Sequence, residues 1–127
     1  MNIIISNTTD IPIYQQITNQ IKEAIFTKSI SEGDMLPSIR SLAKDLRISV
    51  ITTTRAYNEL EQEGFITTVP GKGCYVLPQN TELIKEQKQR EIEEHLQRAI
   101  DMGKLVNLGK KEMMEMINIL YEENDNE

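Results

Sequence analysis

Apolar positions along the chain fall into helical stripes, broken twice by turn residues and once by a strand-like stretch. Tyr14, Ile17, Ile21, Ala24 and Ile25 recur at helical spacing and predict a first helix over about 12–29, with Pro12 in its opening turn. Ahead of it, Ile3, Ile4 and Ile5 predict a short strand before the polar turn SNTTD. SEGDMLP ends the first helix, Gly33 and Pro37 being the breakers. Ser38 then suits the N-cap of a second helix, whose Ile39, Leu42, Ala43 and Leu46 form one stripe. After a brief turn, Ser49 suits the cap of a third helix that runs to Gly64. FITTVPGKGCYVL predicts a hairpin, strands 65–69 and 74–77 joined by PGKG. Pro78 and QNTE mark a boundary, and two further helices follow over about 81–102 and 110–123, with a frayed tail EENDNE.

Helix, helix, short turn, helix and hairpin is a winged helix-turn-helix layout. The expected fold is mainly α with a small β-wing in residues 1–78, followed by a two-helix dimerisation segment in 79–127. The third helix carries an oddity: Val50, Ile51, Thr52, Thr53 and Thr54 are five β-branched residues in a row, each a weak helix former. At about 100° per residue, Thr53, Tyr57, Leu60 and Gly64 share the packed face, flanked by Val50 and Ala56. Ile51, Arg55 and Gln62 point the other way, with Thr52 and Thr54 at the margins. A recognition helix needs short side chains that approach a duplex closely, and threonine can touch phosphates, base edges or a thymine methyl. That use accounts for the run.

Charge supports the same face. The chain carries −6 overall, which argues against a polyanionic partner, but residues 79–127 hold −5 of it. Residues 38–58 hold Arg40, Lys44, Arg47 and Arg55 against Asp45 alone, for +3. Arg55 is long enough for a guanine edge or a phosphate, and Ile51 could lie against a thymine methyl. Ser49 and the first backbone N–H groups of the third helix suit a phosphate, with Val50 among the DNA-facing positions beside them. Arg40 would clamp the opposite groove wall. Lys72, between Gly71 and Gly73 at the wing tip, would track the adjacent minor groove or its phosphates.

LPSIRSLA (36–43), TTTRAYNELEQEG (52–64) and GKGCYV (71–76) together resemble the DNA-binding domain of the GntR family of bacterial transcription regulators. IPIYQQI before them and the short two-helix tail after them are similar to the YtrA-like subgroup. The resemblance spans nearly the whole chain, and it implies Arg40, Ser49, Thr52, Arg55 and Gly73 as contact positions. The segment SVI (49–51) stands where the subgroup carries NPN or similar, a departure that bears on operator sequence more than on fold. The resemblance further implies a repressor of its own operon, in YtrA-like relatives often one encoding an ABC transporter.

Only 49 residues follow position 78, too few for the ligand-sensing or aminotransferase-like domain of most relatives. Ile92, Leu96, Ala99 and Ile100 on one helix, and Met113, Met116, Ile117, Leu120 and Tyr121 on the other, form seams expected to close a homodimer. Two recognition helices then meet a roughly palindromic double-stranded operator, with half-sites ~34 Å apart or a multiple of that. Methionines 113, 114 and 116 fit irregular gaps in such a seam, and a small apolar effector there is conceivable but not indicated.

Other classes are disfavoured. No apolar run approaches the ~20 residues of a membrane span, and MNIIISNTTD lacks the features of a signal peptide, so a cytoplasmic protein is expected. Cys74, the single cysteine, reads as a packed residue, and His95 stands alone, without a metal set. No nucleophile–base pair or phosphate loop is present; neither enzyme nor cofactor is expected. The alternative is a winged-helix adaptor that binds protein instead of specific DNA, for which a local basic face has no use.

Overall fold

The computed structural model describes residues 1–125, and the chain divides into two compact units, Met1–Gln79 and Asn80–Glu127. In the first unit α1 covers Ile13–Phe26, with the Pro12 carbonyl accepting from the N–H groups of Gln15 and Gln16 at 3.0 Å each. The helix is shorter than its apolar spacing predicts. Thr27 Oγ1 donates back to the Glu23 carbonyl at 2.9 Å, Lys28 takes a left-handed φ of 61°, and Ile30 N–H returns to the Ala24 carbonyl. The chain therefore wraps over its own last turn instead of extending the helix to 29.

Two serine caps build the next pair. Ser38 Oγ accepts from Ser41 N–H at 3.1 Å and starts α2, Ile39–Leu46. Arg47 ends it in the left-handed region at φ 57°, and Ile48 N–H bonds back to the Ala43 carbonyl. Ser49 Oγ then accepts from Thr52 N–H at 3.0 Å and starts α3, Val50–Gln62. Three residues thus separate two capped helices, the turn of a helix-turn-helix. Gly64, at φ 82°, stops α3 as its position predicts.

The wing is the antiparallel pair β1, Ile66–Val69, and β2, Gly73–Val76, in the register Ile66↔Val76 to Val69↔Gly73. Lys72 N–H closes the turn on the Val69 carbonyl at 2.9 Å. The breaker segment before α2 joins the wing as well. Gly33 and Leu36 donate to the Val76 and Cys74 carbonyls, Val76 donates to the Asp34 carbonyl, and Met35 pairs with Tyr75. Backbone groups on the outer edge of β2 thereby find partners.

The core lies where α1, α3 and the wing meet. Ile17, Ile21, Ala56 and Leu60 are fully buried, with Leu42, Tyr57, Ile66 and Val76 nearly so. Each large apolar side chain there contributes about 1.5–3 kcal/mol by leaving water. Phe65 is half-buried at the margin, edge-on to Phe26 at 5.7 Å, with Lys22 over its ring and paired to Glu63 at 2.8 Å. Tyr57 donates its hydroxyl to the Pro37 carbonyl at 2.7 Å, which ties α3 to the entry of α2. Burial, and secondarily the nearby Cys74 thiol, pushes the Tyr57 phenol far above its ordinary range.

Ile3–Ile5 is not a strand. Gln20 clamps Ile4 instead, its amide oxygen accepting from Ile4 N–H at 2.8 Å and its amide nitrogen donating to the Ile4 carbonyl at 2.7 Å. Gln16 does the same for Ser6 and also reaches the Ile11 carbonyl. Two side-chain amides on α1 thus satisfy an extended backbone that has no neighbouring strand, and Ile3 enters the core.

In the second unit Asn80 Oδ1 caps α4, Thr81–Leu105, by accepting from Leu83 N–H at 3.1 Å. The helix runs three residues past the expected 102. Asn107 at φ 60° turns the chain, Leu108 N–H returns to the Gly103 carbonyl, and α5 follows as Lys110–Asp125. Residues 122–125, expected to fray, are helical; 126–127 of that tail lie outside the described residues. Gly103 is the one buried residue of this unit among those described. A Cβ there would stand 2.9 Å from Met113 Sδ, so glycine permits the close approach of α5 to α4.

Candidate nucleic-acid interface

The first turns of α3 present an unusual surface. Ile51 is 82% exposed and Val50 47%, which places Val50 outside the packed face that its helical position predicts it to flank. Neither belongs to the core cluster or to the apolar side chains packed against it. Thr53, in the same run, is fully buried and returns its hydroxyl to the Ser49 carbonyl at 3.1 Å, while Thr52 and Thr54 are half-buried at the margins. The β-branched run therefore splits by helical geometry into one core residue, two marginal ones and two projecting ones.

The hydroxyls at the start of α3 have a defined polarity. Ser49 Oγ accepts from Thr52 N–H and donates to Thr52 Oγ1 at 2.8 Å. Its single proton is thus engaged, and the Thr52 hydroxyl is left as the donor that can reach a phosphate or base edge. The sequence offers both Ser49 and Thr52 as contact positions, and the cap geometry leaves the Thr52 hydroxyl as the one with a free proton.

Arg55 lies on the exposed side of α3, but it is not a loose surface charge. Its Cζ stands 3.7 Å from the centroid of the Tyr14 ring, and its Nε lies 3.8 Å from Glu59 Oε1, an ion-pair distance too long for a hydrogen bond. In the sequence Tyr14 is simply one member of the apolar stripe of α1. Its contact with Arg55 depends on how α1 crosses α3, which no local pattern reports.

The remaining candidates stand apart from this cluster. Arg40 is exposed on the first turn of α2 and makes no ion pair among the described residues. Lys72 is exposed at the wing turn, beside Gly71 at φ 77° and Gly73 at φ 137°. Gly73 has a second constraint, since a Cβ there would meet Met35 Sδ at 3.3 Å. Both glycines hold backbone conformations that L side chains rarely adopt.

Among the described residues no cluster of His, Cys, Asp or Glu could hold a metal ion, and no helix is long and apolar enough to cross a membrane.

A helix-turn-helix whose third helix projects an exposed start and Arg55, followed by a glycine-flanked wing, is a DNA-reading layout, and comparison with known proteins decides its family. Residues 13–76 match the family described as bacterial regulatory proteins, gntR family. The chain belongs to the GntR family. This GntR chain is 39% identical over 89 residues to the HTH-type transcriptional repressor YtrA of Bacillus subtilis, covering 70% of the chain and 68% of YtrA. It is 33% identical over 111 residues to the uncharacterized HTH-type transcriptional regulator YhcF of the same organism, covering 87% and 91%. A solved transcriptional regulator from Oenococcus oeni superposes with TM-score 0.72 at 29% identity, over 92% of this chain and 97% of that one. Like these relatives, the GntR chain is a transcription regulator with a DNA-binding helix-turn-helix, built mainly of helices with a two-stranded wing.

Proposed function

We propose that the protein acts as a homodimer that binds a roughly palindromic operator and represses transcription by blocking polymerase, with residues 1–78 reading DNA and 79–127 holding the dimer together. The observation that carries the DNA-reading half is the projecting start of α3, where Ile51 and Val50 are exposed beside the Thr52 hydroxyl and the stacked Arg55. Exposed β-branched residues on a helix lower its propensity and gain nothing from packing, so a duplex partner accounts for them.

The dimer half is supported by the second unit. Ile92, Leu96, Ile100, Met116, Ile117, Leu120 and Tyr121 are between 39% and 68% exposed, and Met113 alone of the seam is half-buried. Two amphipathic helices that bury almost nothing against each other are covered by a second copy in this reading. Repression is supported by the similarity to YtrA, which is named a repressor. Arg40, Ser49, Val50, Ile51, Thr52, Thr54, Arg55, Gly71, Lys72 and Gly73 form the DNA surface in this reading, Ser49 through its cap and Gly73 through its backbone.

Selection of duplexes from a randomised library by the full-length chain, followed by footprinting, tests the proposal. Two inverted half-sites protected together are expected. A pool that fails to enrich, or a single isolated half-site, rejects it.

A further inference from the structure

Arg55 sits on the outer face of α3 with its guanidinium stacked 3.7 Å from the centre of the Tyr14 ring. Tyr14 belongs to the first turn of α1 and is half-buried, so its ring is held by the packing of α1 against α3. Glu59, one turn along α3, faces Nε at 3.8 Å. Among the described residues neither terminal amino group of Arg55 has a hydrogen-bond acceptor. One face of the guanidinium plane and one edge are thus occupied, and the fork that can meet a base is open.

We propose that Tyr14 is a positioning residue for base recognition: its ring fixes the plane of the Arg55 guanidinium before DNA arrives, so that the free fork meets a guanine edge. This rests on the DNA-binding function proposed for α3. A planar fork contacting guanine O6 and N7 together has a narrow angular tolerance, whereas a phosphate accepts a cation from many directions. Fixing the plane therefore serves base reading more than phosphate binding. It also removes part of the rotamer freedom that a long side chain otherwise loses on docking.

The experiment uses the full-length chain, the duplex it selects from the randomised library, and the single-base variants of that duplex. Affinities are measured for wild type, Tyr14→Phe, Tyr14→Leu, Arg55→Ala and the double variant Tyr14→Leu/Arg55→Ala. A stack on a partly exposed arginine predicts a loss of about threefold to tenfold for Tyr14→Leu on the selected duplex. That loss comes with a flattened preference at the same G·C pair whose preference Arg55→Ala abolishes. Tyr14→Phe keeps the ring face and binds within about twofold of wild type. In the Arg55→Ala background, Tyr14→Leu has no further effect on affinity or preference. A purely structural tyrosine would instead weaken binding to every duplex alike, with or without Arg55, and that result overturns the proposal. So does a Tyr14→Leu variant with wild-type affinity and base preference while Arg55→Ala loses both; DNA binding by α3 then stands without a role for Tyr14. If Arg55→Ala itself binds as wild type, Arg55 makes no base contact and the role of Tyr14 fails, whereas a chain that selects no duplex at all rejects the DNA-binding reading beneath it. Should Tyr14→Leu lose its cooperative melt, Tyr14→Met replaces it, and the same outcomes support or overturn the proposal.

Discussion

The hydroxyl of Tyr57 offers a test of how α3 is anchored. It is 2% exposed and donates to the Pro37 carbonyl at 2.7 Å, the link between α3 and the start of α2. Tyr57→Phe keeps the ring and its packing but deletes the donor, leaving the carbonyl short of a partner. A neutral hydrogen bond contributes about 1 kcal/mol net, and a stranded acceptor adds to that, so a loss of about 1–2 kcal/mol is expected. For a domain of this size that is a fall in Tm of roughly 4–15 °C. Urea denaturation measures it directly, the midpoint moving with the slope unchanged. The pH dependence gives a second arm. The folded-state pKa lies above the unfolded value near 10, so the native state keeps its proton where the unfolded state has lost it. The contribution is complete below pH ~10 and is lost as pH rises from there toward the folded pKa, by up to about 1.4 kcal/mol per pH unit. The stability difference between wild type and Tyr57→Phe is therefore flat at neutral pH and shrinks in strong alkali. A variant as stable as wild type at neutral pH, with a difference that ignores alkali, refutes the bond and its burial together.

Three other substitutions probe separate parts. Leu120→Asp places a charge on a residue 57% exposed in the single chain, so sedimentation should show monomers with unchanged helicity; a variant that still sediments as a dimer puts the interface elsewhere. Lys72→Ala should lower the salt slope of operator binding by about one unit and leave base preference unchanged; an unchanged slope removes the wing tip from the phosphate contacts. Gly103→Ala brings a methyl to 2.9 Å from Met113 Sδ, which must move aside, while alanine gains about 0.5–1 kcal/mol of helix propensity, so thermal melts should show a net change within about 1 kcal/mol; a loss of several kcal/mol would mean that Met113 is locked in place.

Local chemistry makes much of this fold legible in the sequence. Ser38 and Ser49 cap the helices that their positions predict, and Gly64 takes the positive φ that its place after α3 requires. Those signals work within four residues of each other, where propensity and capping dominate. Features that depend on distant partners are not legible in this way. Ile3–Ile5 has strand composition, but Gln16 and Gln20, ten to sixteen residues away, take the place of a neighbouring strand. SEGDMLP has breaker composition, yet its backbone pairs with β2 some forty residues on, as roughly one strand's worth of bonds. The site follows the same rule. Helical geometry places Arg55 and Ile51 outward, whereas Tyr14 under Arg55, and which of the Ser49 and Thr52 hydroxyls keeps a free proton, depend on the crossing of α1 with α3 and on the cap geometry itself. Leu105 and Val106, more exposed than most of the expected seam, escape a pattern that ends α4 at 102.

Sequence-specific DNA binding by α3 is the central claim, and fluorescence anisotropy across a salt series tests it most directly. The full-length chain is titrated into its selected duplex and into a scrambled duplex of the same length and composition. Tight binding to the selected duplex alone, with affinity falling steeply and log-linearly as salt rises, is the predicted result. Equal, weak binding to both duplexes at every salt concentration would contradict it.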